Sequence, residues 1–159
     1  MANPVAVAVR AATPLDSEFL ADAHRLGHEA VRDARGGALD ILLRGRKEPI
    51  SDSFLADLTS ADHTVLVATA NEQPAGYLAA GALELSSGDT ILHITDMWVH
   101  PEARGIGLGS ALMQEALVTA KRRGCTGIDA RALPGDRATK NFFESFGLVA
   151  RTIEVHRSL

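Results

Sequence analysis

The feature of this sequence that most restricts its fold is a glycine-rich turn between an apolar extended segment and a helical one. Gly105, Gly107 and Gly109 follow the strand-like run Ile91–Val99 after a short segment, residues 100–104, and lead into a run with helical spacing. Glycines allow successive backbone N–H groups to point at one spot, and the positive end of the following helix adds about half an elementary charge. Such a turn is typical of an anion site, and it predicts a bound phosphate group held without any cationic side chain.

Two common phosphate-binding motifs do not fit this turn. A dinucleotide-binding fingerprint requires a third glycine at the position of Ser110, and a P-loop requires a lysine directly after the glycines. The turn therefore excludes the nucleotide-binding folds that are built around those two motifs. A tight turn without a ligand is the alternative, because glycine-rich connections also occur for purely structural reasons.

The order of elements around the turn predicts an α/β fold of the mixed (α+β) kind. Apolar spacing and capping residues indicate helices at Phe19–Ala34, within 39–58, at Leu108–Ala120 and after Asp136. Strand patterns and turn residues indicate strands at Val5–Val9, Thr64–Thr69, Gly76–Leu85, Ile91–Val99, Thr126–Ala132 and Leu148–His156. Meander and crossover connections together imply a mixed, mostly antiparallel twisted sheet of about six to seven strands with helices on both faces.

Composition narrows the classes of function. The 159 residues fit one domain, residues 1–159, and the net charge of −4 offers no overall attraction to nucleic acid. No apolar run approaches the roughly 18 residues of a membrane helix, and Met1–Val9 lacks the pattern of a signal peptide. The six histidines do not show the spacing of a metal site. We therefore expect a cytoplasmic protein with no metal, no nucleic-acid partner and no membrane partner.

Arg104, Gly107 and Gly109 match the signature Arg/Gln-x-x-Gly-x-Gly/Ala, and in this the chain resembles the GNAT superfamily of N-acetyltransferases. The resemblance covers nearly the whole chain, and its specificity lies in Ile94–Leu148. It implies acetyl-CoA as co-substrate, with the diphosphate on the backbone of Gly105, Ile106, Gly107, Leu108, Gly109 and Ser110. It also implies that the pantetheine arm pairs with the strand end formed by Met97, Trp98 and Val99. Arg104 is either part of this site or a solvated surface charge.

The resemblance also implies which groups would act in acetyl transfer. At two of these positions the chain has a different residue from the one usual in the family. The backbone N–H of Val99 would stabilise the negative charge that develops on the acetyl oxygen. The usual tyrosine acid of the family aligns with Phe143, which has no proton to give, and the usual glutamate aligns with Thr95. Asp136 aligns with an asparagine that often lies near pantetheine, although helix capping explains it equally well.

His93 and Asp96 are the other catalytic candidates. An amine acceptor must be neutral when it attacks, so the site needs a base or a water path. Strict alternation along the strand places two sets of side chains on opposite faces, Thr95 with His93 and Met97, and Asp96 with Ile94 and Trp98. His93 then serves as a base, directly or through water, or is an ordinary hydrogen-bonded strand histidine. Asp96 is either catalytic or a structural acceptor near the strand end.

These features predict an N-acetyltransferase that moves an acetyl group from acetyl-CoA to a primary amine of a small molecule or peptide, by direct transfer in a ternary complex. The acceptor is expected to bind at the first helical region, Phe19–Leu58. The alternative is a CoA- or acyl-CoA-binding sensor without turnover, which Phe143 and the missing glutamate at Thr95 would fit. A homodimer is expected only from the habit of the family.

Overall fold

A computed structural model describes residues 4–159, so the predicted domain begins three residues before the described part. Its strands are β1 Val7–Ala11, β2 His63–Ala70, β3 Gln73–Glu84, β4 Thr90–Val99 and β5 Gly127–Asp129. Its helices are α1 Ser17–Val31, α2 Gly37–Arg44, α3 Ile50–Thr59, α4 Leu108–Arg122 and α5 Arg137–Glu144. Within residues 4–159, no helix has both the length and the apolar character that crossing a membrane requires.

The strands form one sheet in the order of the sequence, from β1 to β5. Neighbours from β1 to β4 are antiparallel, and β5 lies parallel to β4 after the crossover through α4. The predicted mixed, mostly antiparallel sheet is therefore confirmed. The pairing of β5 covers only Ile91–His93 of β4. In the described part of the chain, the rest of β4 has a neighbouring strand on the β3 side alone.

Residues 4–159 contain five strands rather than the expected six to seven. The predicted strand Leu148–His156 is irregular, and Ile153 and Val155 within it are 87% and 93% exposed. A strand exists only where its backbone groups pair with a neighbour, which an alternating sequence pattern does not reveal. For the same reason the predicted strand Thr126–Ala132 forms a ladder only over Gly127–Asp129.

Helices cover both faces of the sheet, as predicted. On one face α4 and α5 pack on a core that includes Leu66, Leu78 and Leu92. On the other face α1 and α3 pack on a second core that includes Val67 and Tyr77. Because side chains alternate along a strand, β2 and β3 contribute to both cores.

A β-bulge in β4 changes which residues share a face. Asp96 pairs with Ala79 and Ile94 pairs with Ala80, so Thr95 is the extra residue. Beyond a bulge, the alternation of side chains is shifted by one position. The α4 face receives Leu92, Ile94, Met97 and Val99, whereas Asp96 and Trp98 lie on the α1 face. The prediction that Asp96 and Trp98 share a face with Ile94 is therefore wrong, because it assumed strict alternation.

A carboxylate holds the short 3-10 turn that precedes α1. Asp16 accepts two hydrogen bonds from the Arg10 guanidinium, at 2.7 and 2.8 Å, and one from the Thr13 N–H at 2.8 Å. The hydrogen bonds from Arg10 are the largest influence and lower the pKa of Asp16, although burial acts in the opposite direction. The folded chain therefore prefers the ionised form of Asp16 more strongly than the unfolded chain does.

We expect Asp16→Asn to destabilise the fold at neutral pH and to matter less as the pH falls. A carboxylate with a lowered folded pKa stabilises the fold above its unfolded pKa, and this contribution is lost as the pH falls through the folded pKa. Unfolding free energies of the two proteins, measured in urea from about pH 7 to about pH 3, should therefore converge. A difference that stays constant over this range would contradict the ionic role of Asp16.

Candidate functional site

The glycine-rich turn connects β4 to α4 through a 3-10 turn at Pro101–Ala103. Gly105 and Gly107 have φ angles of +82° and +95°, which side-chain-bearing residues adopt only with strain, and Gly107 is the N-cap of α4. A Cβ atom at either glycine would meet no other atom within 4 Å. The space beside both glycines is therefore open.

The turn presents a row of backbone donors. Within residues 4–159, the N–H groups of 105–110 have no acceptor in the protein, and the first hydrogen bond of α4 runs from the Ala111 N–H to the Gly107 carbonyl at 2.9 Å. Because α4 is 15 residues long, its first turn also carries a partial positive charge. These donors suit an anion with several oxygens, such as a diphosphate.

One edge of β4 is open next to this turn. The His100 N–H donates to the Ala75 carbonyl on the β3 side at 2.8 Å. Since N–H groups alternate in direction along a strand, those of Val99 and Met97 point the other way, toward the edge that β5 leaves free. The Nε of Arg104 donates to the Val99 carbonyl at 3.3 Å on this edge. The strand end therefore offers two backbone donors to a ligand.

The side chains at this strand end belong to different cores. Trp98 packs beneath α1, where a Cβ atom at Gly27 would lie 3.2 Å from the indole Cδ1. Met97 and Phe142 lie beside the start of α4, within 3.7 Å of the position that a Cβ atom of Gly109 would take. The aromatic residue next to the glycine-rich turn is therefore Phe142.

Phe143 and Asp136 have structural partners. Phe143 is 8% exposed and belongs to the core on the α4 face. Asp136 caps α5, because its carboxylate accepts from the Thr139 N–H at 3.0 Å. The capping interpretation of Asp136 is confirmed, and a contact of either residue with a cofactor stays a prediction.

His93 lies where β4 and β5 begin to separate. Its Nδ1 is hydrogen-bonded to Asp129, and its Nε2 lies 3.0 Å from the Arg131 guanidinium. Burial alone would raise the pKa of Asp129, but the hydrogen bonds from His93 and Arg151 outweigh it and lower that pKa. A strand rises about 3.3 Å per residue, so His93 and Val99 are on the order of 15–20 Å apart along β4.

Asp96 is the centre of a buried polar group beneath α1. Its Oδ1 lies 3.1 Å from the Nδ1 of His24, and its Oδ2 accepts from Arg46 at 3.0 Å and from the Thr95 hydroxyl at 3.1 Å. Burial alone would raise the pKa of Asp96, but His24 and Arg46 outweigh it and hold that pKa below its ordinary value. Asp96 therefore has the partners of an ionised structural acceptor.

Arg46 connects this polar group to α3. It donates to Asp57 at 2.7 Å, and its guanidinium lies 3.8 Å from the centre of the Phe54 ring. Its side chain is only 11% exposed. No sequence signal distinguished Arg46, because it lies in a loop and its carboxylate partners are 11 and 50 residues away in sequence.

Two histidines of α1 complete the group. His24 is 2% exposed, lies 3.3 Å from the Tyr77 hydroxyl, and contacts His28 with 3.9 Å between ring centres. Burial and the neighbouring His24 lower the pKa of His28, while burial and Asp96 raise the pKa of Tyr77 well above its ordinary value. This pair was not foreseen from the sequence, although its members are four residues apart in a predicted helix.

A cleft of about 450 Å³ opens beside these histidines, between α1 and α2. Its walls combine basic and apolar side chains with one acidic residue, Glu29, and they include His28, Arg32, Arg46 and Ile41. Small-molecule sites in proteins commonly have volumes of about 300–1,000 Å³. The cleft therefore has room for a small ligand, and it lies in the helical region where the acceptor was expected.

Comparison with known proteins identifies one family. The sequence matches the model of the acetyltransferase (GNAT) family over residues 31–148. It has no significant match among curated proteins.

Solved structures with the same fold include several acetyltransferases. A tetramutant of the BH1408 protein from Bacillus halodurans is 21% identical, with a TM-score of 0.77, and the match covers 96% of this chain and 99% of that one. The aminoglycoside acetyltransferase meta-AAC0020, from an uncultured soil metagenomic sample and in complex with sisomicin, is 16% identical, with a TM-score of 0.73 and 96% of both chains covered. A ribosomal-protein-alanine N-acetyltransferase from Brucella melitensis biovar Abortus 2308 is 15% identical, with a TM-score of 0.72 and 97% and 99% covered.

Proposed function

Because the chain belongs to the GNAT family of acetyltransferases, we propose that it moves the acetyl group of acetyl-CoA to a primary amine of a small molecule or peptide, by direct transfer in a ternary complex. The observation that carries this proposal is the row of free N–H donors at 105–110 beside the open edge of β4. The donors suit the diphosphate of CoA, and the open edge suits the amide groups of its pantetheine arm.

Acetyl-CoA supplies the activated acetyl thioester, and the protein supplies position and electrostatic stabilisation. In this proposal the N–H groups of 105–110 bind the diphosphate, and the backbone of Met97 binds the pantetheine arm. The Val99 N–H, which points to the open edge, donates to the acetyl oxygen as it becomes negative. Arg104 holds the Val99 carbonyl in place. Trp98 and Phe143 support the site through packing in the two cores.

The cleft between α1 and α2 is the proposed acceptor site. It lies on the α1 face, and Asp96 extends from β4 toward that same face. An amine entering from the cleft must lose a proton before it attacks. The relatives of known activity act on different amines, an aminoglycoside in one case and a ribosomal-protein alanine in another. The acceptor proposed here is therefore defined only as a primary amine small enough to enter the cleft or as an extended peptide end.

His93 is proposed to act through water rather than directly. A base must be within hydrogen-bond reach of the proton that it takes, and His93 is too far along β4 from Val99 for both to contact one acetyl group. Asp129 fixes the ring of His93, and the exposed Arg131 must move away from Nε2 for water to reach it.

We expect His93→Gln to lower kcat by at least about tenfold without changing KM for acetyl-CoA, because a proton-transfer role affects the chemical step rather than cofactor binding. Steady-state kinetics at saturating amine measure both constants. His156→Gln, at an exposed position in the C-terminal segment, is the matched control and should leave kcat unchanged. An unchanged kcat in His93→Gln would remove His93 from the mechanism.

Thiol release from acetyl-CoA across a panel of amines tests the proposed function. The panel should contain aminoglycosides, polyamines, amino acids and peptides with a free N-terminus. Saturable turnover with one class of primary amine, together with a mass increase of one acetyl group on that amine, is the expected result. Absence of turnover with every class, in protein that binds acetyl-CoA, would contradict it.

That contradicting result would support the second candidate, a CoA-binding sensor without turnover. The observation that favours this candidate is the burial of Phe143 at the position of the usual acid. Without a hydroxyl there, the departing thiolate must take its proton from solvent. Tyr77, the single tyrosine of the chain, is buried in the other core and does not replace it.

A further inference from the structure

Three side chains with metal-ligating atoms converge at the inner end of the cleft. His24 and His28 lie one helical turn apart on α1, and Asp96 reaches toward them from β4. One ligand atom from each residue lies within 4.8 Å of the other two. The Nδ1 of His24 and the Oδ1 of Asp96 are already 3.1 Å apart. Helix α1 and strand β4, which are distant in sequence, thus place two imidazole rings and one carboxylate close together.

This set of donors has the composition of a transition-metal site. Imidazole nitrogen and carboxylate oxygen bind Zn²⁺ at about 2.0–2.2 Å, which places neighbouring ligand atoms about 3.4 Å apart in a tetrahedral site. The His24 and Asp96 atoms are already close to that separation, so the His28 ring has the largest movement to make. His28 is only half-buried and lines the cleft, which leaves it room to turn.

The neighbours of Asp96 leave one of its oxygens for the ion. Arg46 and Thr95 both bind Oδ2, so Oδ1 is the oxygen that faces the histidines. Asp57 also binds Arg46 and offsets the positive charge that would otherwise repel a cation. Groups that hold a ligating carboxylate in this way strengthen metal sites.

We propose that His24, His28 and Asp96 bind one divalent transition-metal ion, with Zn²⁺ the best match to the donors. Three protein ligands leave at least one coordination position open, and the cleft beside His28 gives solvent or a small ligand access to it. The ion replaces the contacts of the His24 Nδ1 with Asp96 and the Tyr77 hydroxyl, and it joins α1 to β4. The His24 Nε2 then carries the ring proton, so the long 3.5 Å hydrogen bond that it accepts from the Arg46 N–H is given up. Binding of the ion does not depend on acetyl-CoA or on acetyl transfer.

Titration of metal-free protein with Zn²⁺ against a chromophoric chelator tests this proposal. We expect one Zn²⁺ per chain, with affinity lowered at least about 100-fold in His28→Ala and unchanged in His156→Ala, which alters an exposed histidine elsewhere. Thermal unfolding without metal checks that the variants are folded. The absence of saturable 1:1 binding, or equal affinity in wild type and His28→Ala, would overturn the proposal.

A second measurement avoids substitution of buried residues. Imidazole NMR signals of the wild-type protein should shift for His24 and His28 when Zn²⁺ is added, while those of the other four histidines stay in place. Shifts confined to other histidines would place the metal elsewhere and overturn the proposal. Neither measurement uses acetyl-CoA, so failure of the metal proposal and failure of the proposed function are distinguishable.

Discussion

Gly107→Val is expected to lower the affinity for acetyl-CoA by at least about 100-fold. Gly107 begins α4 with a φ of +95°, in the middle of the free N–H groups of 105–110, and the space beside it is open. A valine side chain would fill that space and turn the neighbouring donors away. Loss of two charge-assisted hydrogen bonds, each of about 1.5 kcal/mol, corresponds to a decrease of about 100-fold. Calorimetric titration with acetyl-CoA measures the affinity directly.

Gly88→Val is the matched control for backbone strain. Gly88 has a φ of +88° in the turn between β3 and β4, and a Cβ atom there also meets nothing within 4 Å. Valine at a positive φ costs about 1–3 kcal/mol at either position, so the two variants should lose similar stability. Only Gly107→Val should lose acetyl-CoA binding. Equal affinities in the two variants would show that the diphosphate does not bind at this turn.

Arg46→Met is expected to lower the free energy of unfolding by about 3–5 kcal/mol, because it leaves Asp96 and Asp57 without their buried cation. Both carboxylates are at least 85% buried by side-chain area, being 11% and 15% exposed. Methionine is an unbranched side chain that can fill the space of the arginine stem, but it lacks the guanidinium that lies over the Phe54 ring, so the loss is mainly electrostatic. Urea denaturation at neutral pH measures the effect.

Arg44→Met is the control for Arg46→Met, because Arg44 also binds two carboxylates but has a more exposed side chain. Arg44 binds Asp40 at 2.9 Å and Glu154 at 2.8 Å, and its side chain is 29% exposed. Such pairs contribute about 0–1 kcal/mol, so this variant should be nearly as stable as the wild type. A loss in Arg46→Met no greater than in Arg44→Met would mean that the buried group does not stabilise the fold.

The elements that the sequence predicts well are those with local signals. The helix from Leu108 is marked by its apolar spacing and by Gly124, whose φ is +72°, and α5 is marked by its cap at Asp136. Three glycines are enough to predict the glycine-rich turn, because the backbone conformation that the turn needs is one that glycine adopts without strain. The candidate cofactor site could thus be predicted from one short segment.

What could not be predicted depends on contacts between distant residues. The segment Leu148–His156 has the composition of a strand, but pairing requires a partner that the pattern does not specify. The bulge at Thr95 and the partners of Arg46 are likewise set by neighbouring elements. His24 and His28 did carry a local signal, their spacing on one helix, and Asp96 joins them only in three dimensions.

The bulge at Thr95 decides which face of the sheet each later residue of β4 occupies. If β4 instead paired regularly through Thr95, with no bulge, the faces of every residue from 96 to 99 would be exchanged. Asp96 would then enter the apolar core beneath α4, away from its partner Arg46, and the side chains of Met97 and Val99 would turn toward α1. Deleting Thr95 would keep the present faces, because Asp96 would then follow Ile94 directly in regular alternation. A strand that contains Thr95 therefore needs the bulge, whereas a strand one residue shorter at this position would not.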